Sequence, residues 1–309
     1  MYYAGWDGGG TKTAIVCIDA HGEVILREEA GAFNSLGNID GTTEAAIAES
    51  LAIMEKLPGG LAKCAGLCIG GAGISSVKMR HSIDITLRAS NFTAPYTVIP
   101  DFAAAFYSVF GNRAGVVLLA GTGAVCFGRN TRGETRRIGG WGHLIDDEGS
   151  GYAIGRDVLT AVVHALERRD IPTLLTQAVL KEWGITLDKE KRATSIIPEI
   201  VNRIYNEQTG KKEIASLAPL CFTTARQGDE KAQAIIKKAG ENLFSLLSAM
   251  GRALGTTHFG VALMGSVLTK DDMLTNALKK RCALSELRLS FSAPTPDAAL
   301  GAARKAALG

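Results

Sequence analysis

Apolar residues fall along this chain in two rhythms. Short β-branched runs of four to eight residues read as strands, and longer segments with apolar residues every three or four positions read as helices. The first strand enters through Tyr3-Ala4-Gly5-Trp6, turns on Asp7-Gly8-Gly9-Gly10-Thr11-Lys12, and leaves as Ala14–Ile18. A third run over 22–30 closes an antiparallel meander. Ile47, Leu51, Met54 and Leu57 share one helical face, which stops at Pro58-Gly59-Gly60. A strand over 61–69, a helix over 77–89, a strand over 96–99 and a helix over 102–110 follow. The second half repeats the theme. Strands are expected at 115–120, 125–129 and 134–138, then a helix burying Ile154, Val158, Ala161, Val162 and Ala165. Residues 170–210 are helical, polar and less regular, an insertion. Asp229 caps a long helix through Ile235, Ile236, Leu243, Leu247 and Met250. Strands over 258–264 and 287–291 precede a last helix with Thr295 as N-cap, Pro296 at its first position and Arg304 and Lys305 in its last turn.

Two glycine turns carry the first chemical signal. Asp7 to Lys12 and Gly121-Thr122-Gly123 each sit between two apolar strands. Glycines let backbone N–H groups approach a bulky anion. Thr11 and Thr122 add hydroxyls, Lys12 a cation, and Asp7 a carboxylate able to hold Mg²⁺. The P-loop and the dinucleotide fingerprint are both excluded, because each runs from its glycines into a helix. One such hairpin alone is as well explained without a ligand. Two copies about a domain apart point to a duplicated fold holding a polyphosphate.

Length and charge narrow the class. At 309 residues the chain suits two domains of about 150 residues. A hydrophobic content of 46% supplies a core, and a net charge of +3 is no footprint for nucleic acid or an anionic membrane. Met1 leads directly into the first strand, so no secretory signal is expected, and no apolar run nears the ~20 residues of a membrane span. The six cysteines are scattered without a CxxC pattern, as expected of buried thiols in a reducing cytoplasm. Cys64 and Cys68 are four apart in one strand and are expected to face the same way.

Acidic residues cluster at strand ends, where ligands of open α/β sheets sit. Asp101 lies between a strand and a helix. It suits an N-cap, and it equally suits a general base. Gly139 to Ser150 is the densest polar segment, with Asp146, Asp147 and Glu148 just ahead of a helix. These acids are either solvated decoration of the first turn or ligands for a polyol. Trp141 is either a core residue or a platform for a sugar ring. With five scattered histidines, His143 gives no metal site.

"DGGGTKT", "PDFAAAF", "LAGTGAV", "GGWGHLIDDEGSGYAIG" and "MGSV", in that order and over nearly the whole chain, resemble the N-acetylglucosamine kinase and BadF/BadG/BcrA/BcrD-type ATPase group of the actin/hexokinase/Hsp70-like superfamily. The resemblance implies an α/β fold of two ribonuclease H-like, actin-like ATPase domains around a central cleft. The first would span 1–112, completed by the helix at 295–309, and the second 113–294, with the insertion near 170–210. It implies ATP and Mg²⁺ as cofactors and phosphorylation of an amino sugar hydroxyl, the 6-OH of N-acetylglucosamine or a close relative. Asp101 would take the hydroxyl proton, and Asp7 would hold the metal through water. Gly8, Gly9, Gly10, Thr11, Lys12, Gly121, Thr122 and Gly123 would bind phosphate, and Gly265-Ser266 the adenosine side. Asn34, Asp101, Gly140, Trp141, Gly142 and Asp147 would contact the sugar. A cytoplasmic enzyme without nucleic-acid or membrane partners is implied, and a homodimer is compatible with it. The alternatives are an ATPase that activates a reductase or dehydratase, and a non-catalytic sugar sensor. Asp146 departs from the family's glycine. The cluster-binding cysteine motif of the dehydratase activators is absent, which disfavours the first alternative.

Overall fold

The computed structural model describes all residues except 34–40, 72, 75, 187–192 and 207–208. In chain order the elements are β1 (Tyr2–Gly8), β2 (Thr13–Asp19), β3 (Val24–Ala30), α1 (Thr42–Glu55), β4 (Cys64–Gly71), α2 (Val77–Ala89), β5 (Tyr96–Pro100) and α3 (Asp101–Phe110). Then come β6 (Gly115–Ala120), β7 (Ala124–Arg129), β8 (Thr135–Gly139), α4 (Gly151–Leu166), α5 (Leu174–Glu182), α6 (Ala193–Asn206), α7 (Lys211–Ala215) and α8 (Ala218–Arg226). The last are α9 (Glu230–Leu254), β9 (His258–Met264), α10 (Ser266–Thr269), α11 (Asp272–Ala283), β10 (Arg288–Ser292) and α12 (Ala298–Ala306). They form two compact units, Met1–Ala114 with Pro294–Gly309, and Gly115–Ala293.

Each unit is built on a five-stranded sheet, and the two sheets share one plan. The orders are β3-β2-β1-β4-β5 and, read in the same sense, β8-β7-β6-β9-β10. In both, the first three strands form an antiparallel meander and the last two run parallel to the first strand. The duplication read from the two glycine turns is therefore a duplication of topology.

In the first unit one sheet face packs on α1 and α2 through Trp6, Ile15, Ile47, Met54, Ile69 and Ile83. The other face receives α12, which lies against β1, β2, β4 and α3. Close approach there requires glycine. A Cβ on Gly5 would stand 2.0 Å from the Ala303 nitrogen, and one on Gly301 1.9 Å from the Ala104 oxygen. The second unit buries one continuous core in which α9 supplies Ile235, Ile236, Leu243, Leu247 and Met250. Asp229 caps α9, accepting the Ala232 N–H at 2.8 Å, and Gly255 ends it at φ 69°. The helical segment expected over 170–210 resolves into α5 and α6.

Three local expectations fail for identifiable reasons. Residues 61–63 form a 3₁₀ turn, so β4 starts at Cys64. Between Tyr2 and Tyr3 the β1–β4 register slips and leaves Ala65 as an extra residue. Such a bulge reverses the alternation of side chains. Cys64 therefore shares the α1–α2 face with Leu67 and Ile69. Cys68 is buried without joining that cluster, and the nearby Lys305 of α12 draws its thiol down against the larger effect of burial, which pushes it up to about 12. Finally, Asp297 caps α12 in place of Thr295, accepting the Leu300 N–H at 2.9 Å. Its second oxygen meets Arg27 at 2.7 Å, a long-range partner invisible to local capping rules. All six cysteines are reduced and buried.

Candidate functional site

In the first unit the candidate residues gather at the carboxyl ends of β1 and β5. The β1–β2 turn is closed by Gly9 N–H to the Lys12 oxygen at 2.9 Å, and the Phe33 N–H binds the Gly9 oxygen at 2.9 Å. Thr13 is buried and donates to the Gly31 oxygen at 2.7 Å. This leaves Gly10, Thr11 and Lys12 exposed at the tip. Lys12 is ion-paired with Glu29 across the meander. Asp101 is the first residue of α3, with Pro100 in the capping position. Its Oδ1 accepts the Phe102 N–H at 2.8 Å, and the carboxylate faces solvent. Asp101 is thus a first-turn residue and not the cap.

Asp7 is half-buried, and its carboxyl is pushed up to about 6, first by burial and then by the negative charges of Asp101 and Asp297. A hard cation would relieve that crowding of carboxylates. Among the described residues no group of three or more His, Cys, Asp or Glu forms a cage. That suits Mg²⁺, which is usually held by one or two carboxylates, waters and substrate phosphates. The donor set fits.

The shift has a measurable consequence. Between the ordinary carboxylate value and about 6, the folded protein holds a proton on Asp7 that the unfolded chain has released. Stability from this group is therefore full below about 4 and lost as pH rises through about 6. At pH 7.5 and without metal, Asp7→Asn is expected to stabilise by about 1–2 kcal/mol, allowing for partial solvent exposure. At pH 4 the gain should vanish. Urea denaturation at both values checks this, and a gain independent of pH would contradict it.

In the second unit the Gly121–Gly123 turn is held from several sides. The Gly121 N–H binds the Gly123 oxygen at 2.9 Å, and the Gly151 N–H at the start of α4 binds the Gly121 oxygen at 2.7 Å. Asp147 lies beneath it. A Cβ on Gly123 would stand 3.0 Å from both Asp147 carboxylate oxygens. Asp147 is 3% exposed, at φ 67°, and accepts the Ala124 N–H at 3.2 Å and the Lys211 ammonium at 2.6 Å. It is not solvated helix decoration. Ser150 caps α4, accepting from Ala153 at 3.2 Å.

Trp141 is 62% exposed, so it is no core residue. The Arg137 guanidinium covers one face of its ring, 4.0 Å from the centroid. The same guanidinium holds the carbonyls of Gly139, at 3.0 Å, and Gly140. Asp146 accepts the Trp141 N–H at 3.1 Å, while its own N–H binds the Gly142 oxygen at 2.8 Å. The carboxylate that departs from the family pattern thus braces the Gly140-Trp141-Gly142 loop. Asn34 lies outside the described residues.

Gly121, Thr122 and Ser266 line one cavity of about 390 Å³. That volume falls in the range of small-molecule sites. Gly265, just before Ser266, must be glycine. It sits at φ 88°, and a Cβ there would be 2.3 Å from the Ala120 oxygen. One wall is apolar, with Ala215, Ala218, Pro219, Phe222 and Val267, while Lys212 and Lys270 supply positive charge and Arg226 is ion-paired with Asp271, also in the lining. This combination accommodates a flat heterocycle with an anionic tail. Sequence reasoning missed the wall from α7 and α8. A faint signal existed in Gly151 and Gly155, one helical turn apart on α4. A Cβ on Gly155 would stand 1.9 Å from the Ile214 oxygen, so this glycine face seats α7.

The family model for the BadF/BadG/BcrA/BcrD ATPase family matches residues 4–306. An N-acetylmuramic acid/N-acetylglucosamine kinase of Clostridium acetobutylicum is 31% identical over 97% of this chain and 96% of its own length. An N-acetyl-D-glucosamine kinase of Dictyostelium discoideum is 27% identical over 97% of this chain and 96% of its own. A solved structure from Chromobacterium violaceum, provisionally named an N-acetylglucosamine kinase, has a TM-score of 0.69 at 25% identity, covering 98% of this chain and 97% of that one.

Proposed function

We propose that this chain, which belongs to the BadF/BadG/BcrA/BcrD ATPase family, is an ATP-dependent kinase of an amino sugar hydroxyl. The observation that carries the reading is the 31% identity, end to end, with a kinase of N-acetylmuramic acid and N-acetylglucosamine. Asp101 has the chemistry of the base: a solvent-facing carboxylate fixed at the start of a helix. It accepts the proton of the attacking hydroxyl, taken here as the 6-OH. The oxygen–phosphorus bond forms as the bond between the β–γ bridging oxygen and the γ-phosphorus breaks, and ADP leaves. Such transfer asks chiefly for positioning and charge stabilisation. The cavity beside Thr122 and Ser266 takes the adenosine, and the motifs assign Gly121 to Gly123 and Gly8 to Lys12 as phosphate turns. Bound Mg²⁺, held through water by Asp7, would offset negative charge on the phosphates. The exposed Trp141 stacks on the pyranose, the loop of Gly140 and Gly142 lies alongside, and Asp147 is assigned to the sugar by its motif. Asn34 is assigned to the sugar by its motif alone. The buried, reduced thiols suit a cytoplasmic enzyme.

The test is ADP release with N-acetylglucosamine, N-acetylmuramate, glucosamine and glucose in parallel. An N-acetylated sugar is expected to exceed glucose in kcat/KM by at least about tenfold, since losing an amide that the site binds leaves its polar partners unpaired. Release of ADP unaffected by every sugar would point instead to an ATPase of another kind.

A further inference from the structure

Asp147 is held between two parts of the second unit that border the same cavity. One carboxylate oxygen takes the Ala124 N–H, at the end of the turn that carries Thr122. The other takes the Lys211 ammonium. Lys211 opens α7, whose next residues Lys212 and Ala215, followed by Ser216, line the nucleotide cavity. Thr122 lines the same cavity from the opposite partner of Asp147. Any nucleotide that settles there orders both groups that grip the carboxylate.

We propose that Lys211 is a positioning residue that couples the two substrates, tightening sugar binding at Asp147 when nucleotide fills the cavity. The inference rests on the sugar-kinase reading and adds a residue and a linkage to it. Its physical basis is a shared ordering cost. A carboxylate 3% exposed holds a rigid geometry only while its charge is matched. The 2.6 Å contact supplies that match and ties the carboxylate to α7. Ile214 of α7 is seated on Gly155 of α4, which limits how far the helix can shift. Nucleotide bound to α7 and to Thr122 has thus already fixed what the sugar needs fixed. Linkage makes the benefit reciprocal: the sugar tightens nucleotide by the same factor.

Calorimetry on the full chain tests this, with N-acetylglucosamine titrated in the absence and presence of a saturating non-hydrolysable ATP analogue with Mg²⁺. In the wild type the analogue should lower the sugar Kd about five- to tenfold, and the reverse titration should give the same ratio. Lys211→Met should bring that ratio within about twofold of one, and Lys211→Arg should restore part of it. If Lys211→Met is too unstable to measure, Lys211→Gln, which keeps a hydrogen-bond donor without the charge, should equally lack coupling. A wild-type ratio of one, or a wild-type ratio retained without the lysine, overturns the inference while leaving a sugar kinase intact. A wild type that binds neither ligand overturns the kinase reading and this inference with it.

Discussion

Asp101→Asn should leave a folded protein whose kcat on its best sugar is about 10²–10⁴-fold lower, the usual cost of losing a general base. The residue's local role is separable from the proposed one. Its local role is to accept the adjacent Phe102 N–H through one oxygen, and an asparagine oxygen serves as well. The carboxylate is solvent-exposed, so the substitution leaves no buried group unpaired. A melting temperature within a few degrees of wild type is therefore expected, with ATP affinity changed less than about threefold, because no phosphate contact is asked of Asp101. Removing its charge also eases the burden on Asp7, which Asp101 helps to push up. Single-turnover kinetics with saturating ATP would isolate the chemical step. Near wild-type turnover would remove Asp101 from the base role.

Gly301→Val should act on the fold alone and more severely. The ideal Cβ position is 1.9 Å from the Ala104 oxygen and 2.7 Å from the Ser108 nitrogen, both backbone atoms of α3. No rotamer relieves a clash between a Cβ and main chain. Either α12 lifts from the sheet or α3 moves, and both expose a face holding Ala299, Ala302 and Ala303, all at most 2% accessible. Overpacking at a well-packed site usually costs about 1–3 kcal/mol, and a backbone clash from a branched side chain should exceed that. Insoluble or largely unfolded protein is expected, read by soluble yield and by the denaturation midpoint. Gly22→Ala is a useful control. Unlike the helical Gly301 it has a positive φ of 88°, yet nothing lies within 4 Å, so only the intrinsic backbone cost of about 1–2 kcal/mol applies. Equal midpoints for the two variants would contradict the close-approach argument.

Much of the architecture was legible because it is written in local periods. The meanders around the two glycine turns, the cap of α9 and the extent of α2 follow from alternation, capping chemistry and helical spacing. What escaped depends on distant partners. Nothing near Ala65 in the sequence announces a bulge, and one extra residue sends Cys68 to the face opposite Cys64. Thr295 and Pro296 are good helix-start residues, but Arg27 favours Asp297 as the cap from 270 positions away. The acids before α4 looked alike in sequence. The structure gives them three duties: Asp146 braces a loop, Asp147 is buried on Lys211, and Glu148 meets Arg156 at 3.3 Å. Which acid does which is set by a positive φ at Asp147 and by α7, sixty-four residues later. The cavity beside Thr122 was half visible, since Gly121, Thr122 and Ser266 belong to motifs. The α7–α8 wall does not, because apolar shape can be supplied by many side chains.

The seating of α12 on the first sheet bears on how the molecule is made. Residues 1–114 contain a nearly complete meander and both of its covering helices, yet one sheet face waits for residues 294–309. During vectorial synthesis the second unit, continuous in the chain, is fully emerged before the helix that finishes the first. At about 5–20 residues per second, the groove beside Gly5, lined by Val16 and Ile18, stays open for some ten to forty seconds while the intervening residues are added. For that interval the nascent protein carries a half-finished domain, and its need for chaperone cover is set by the position of its last helix.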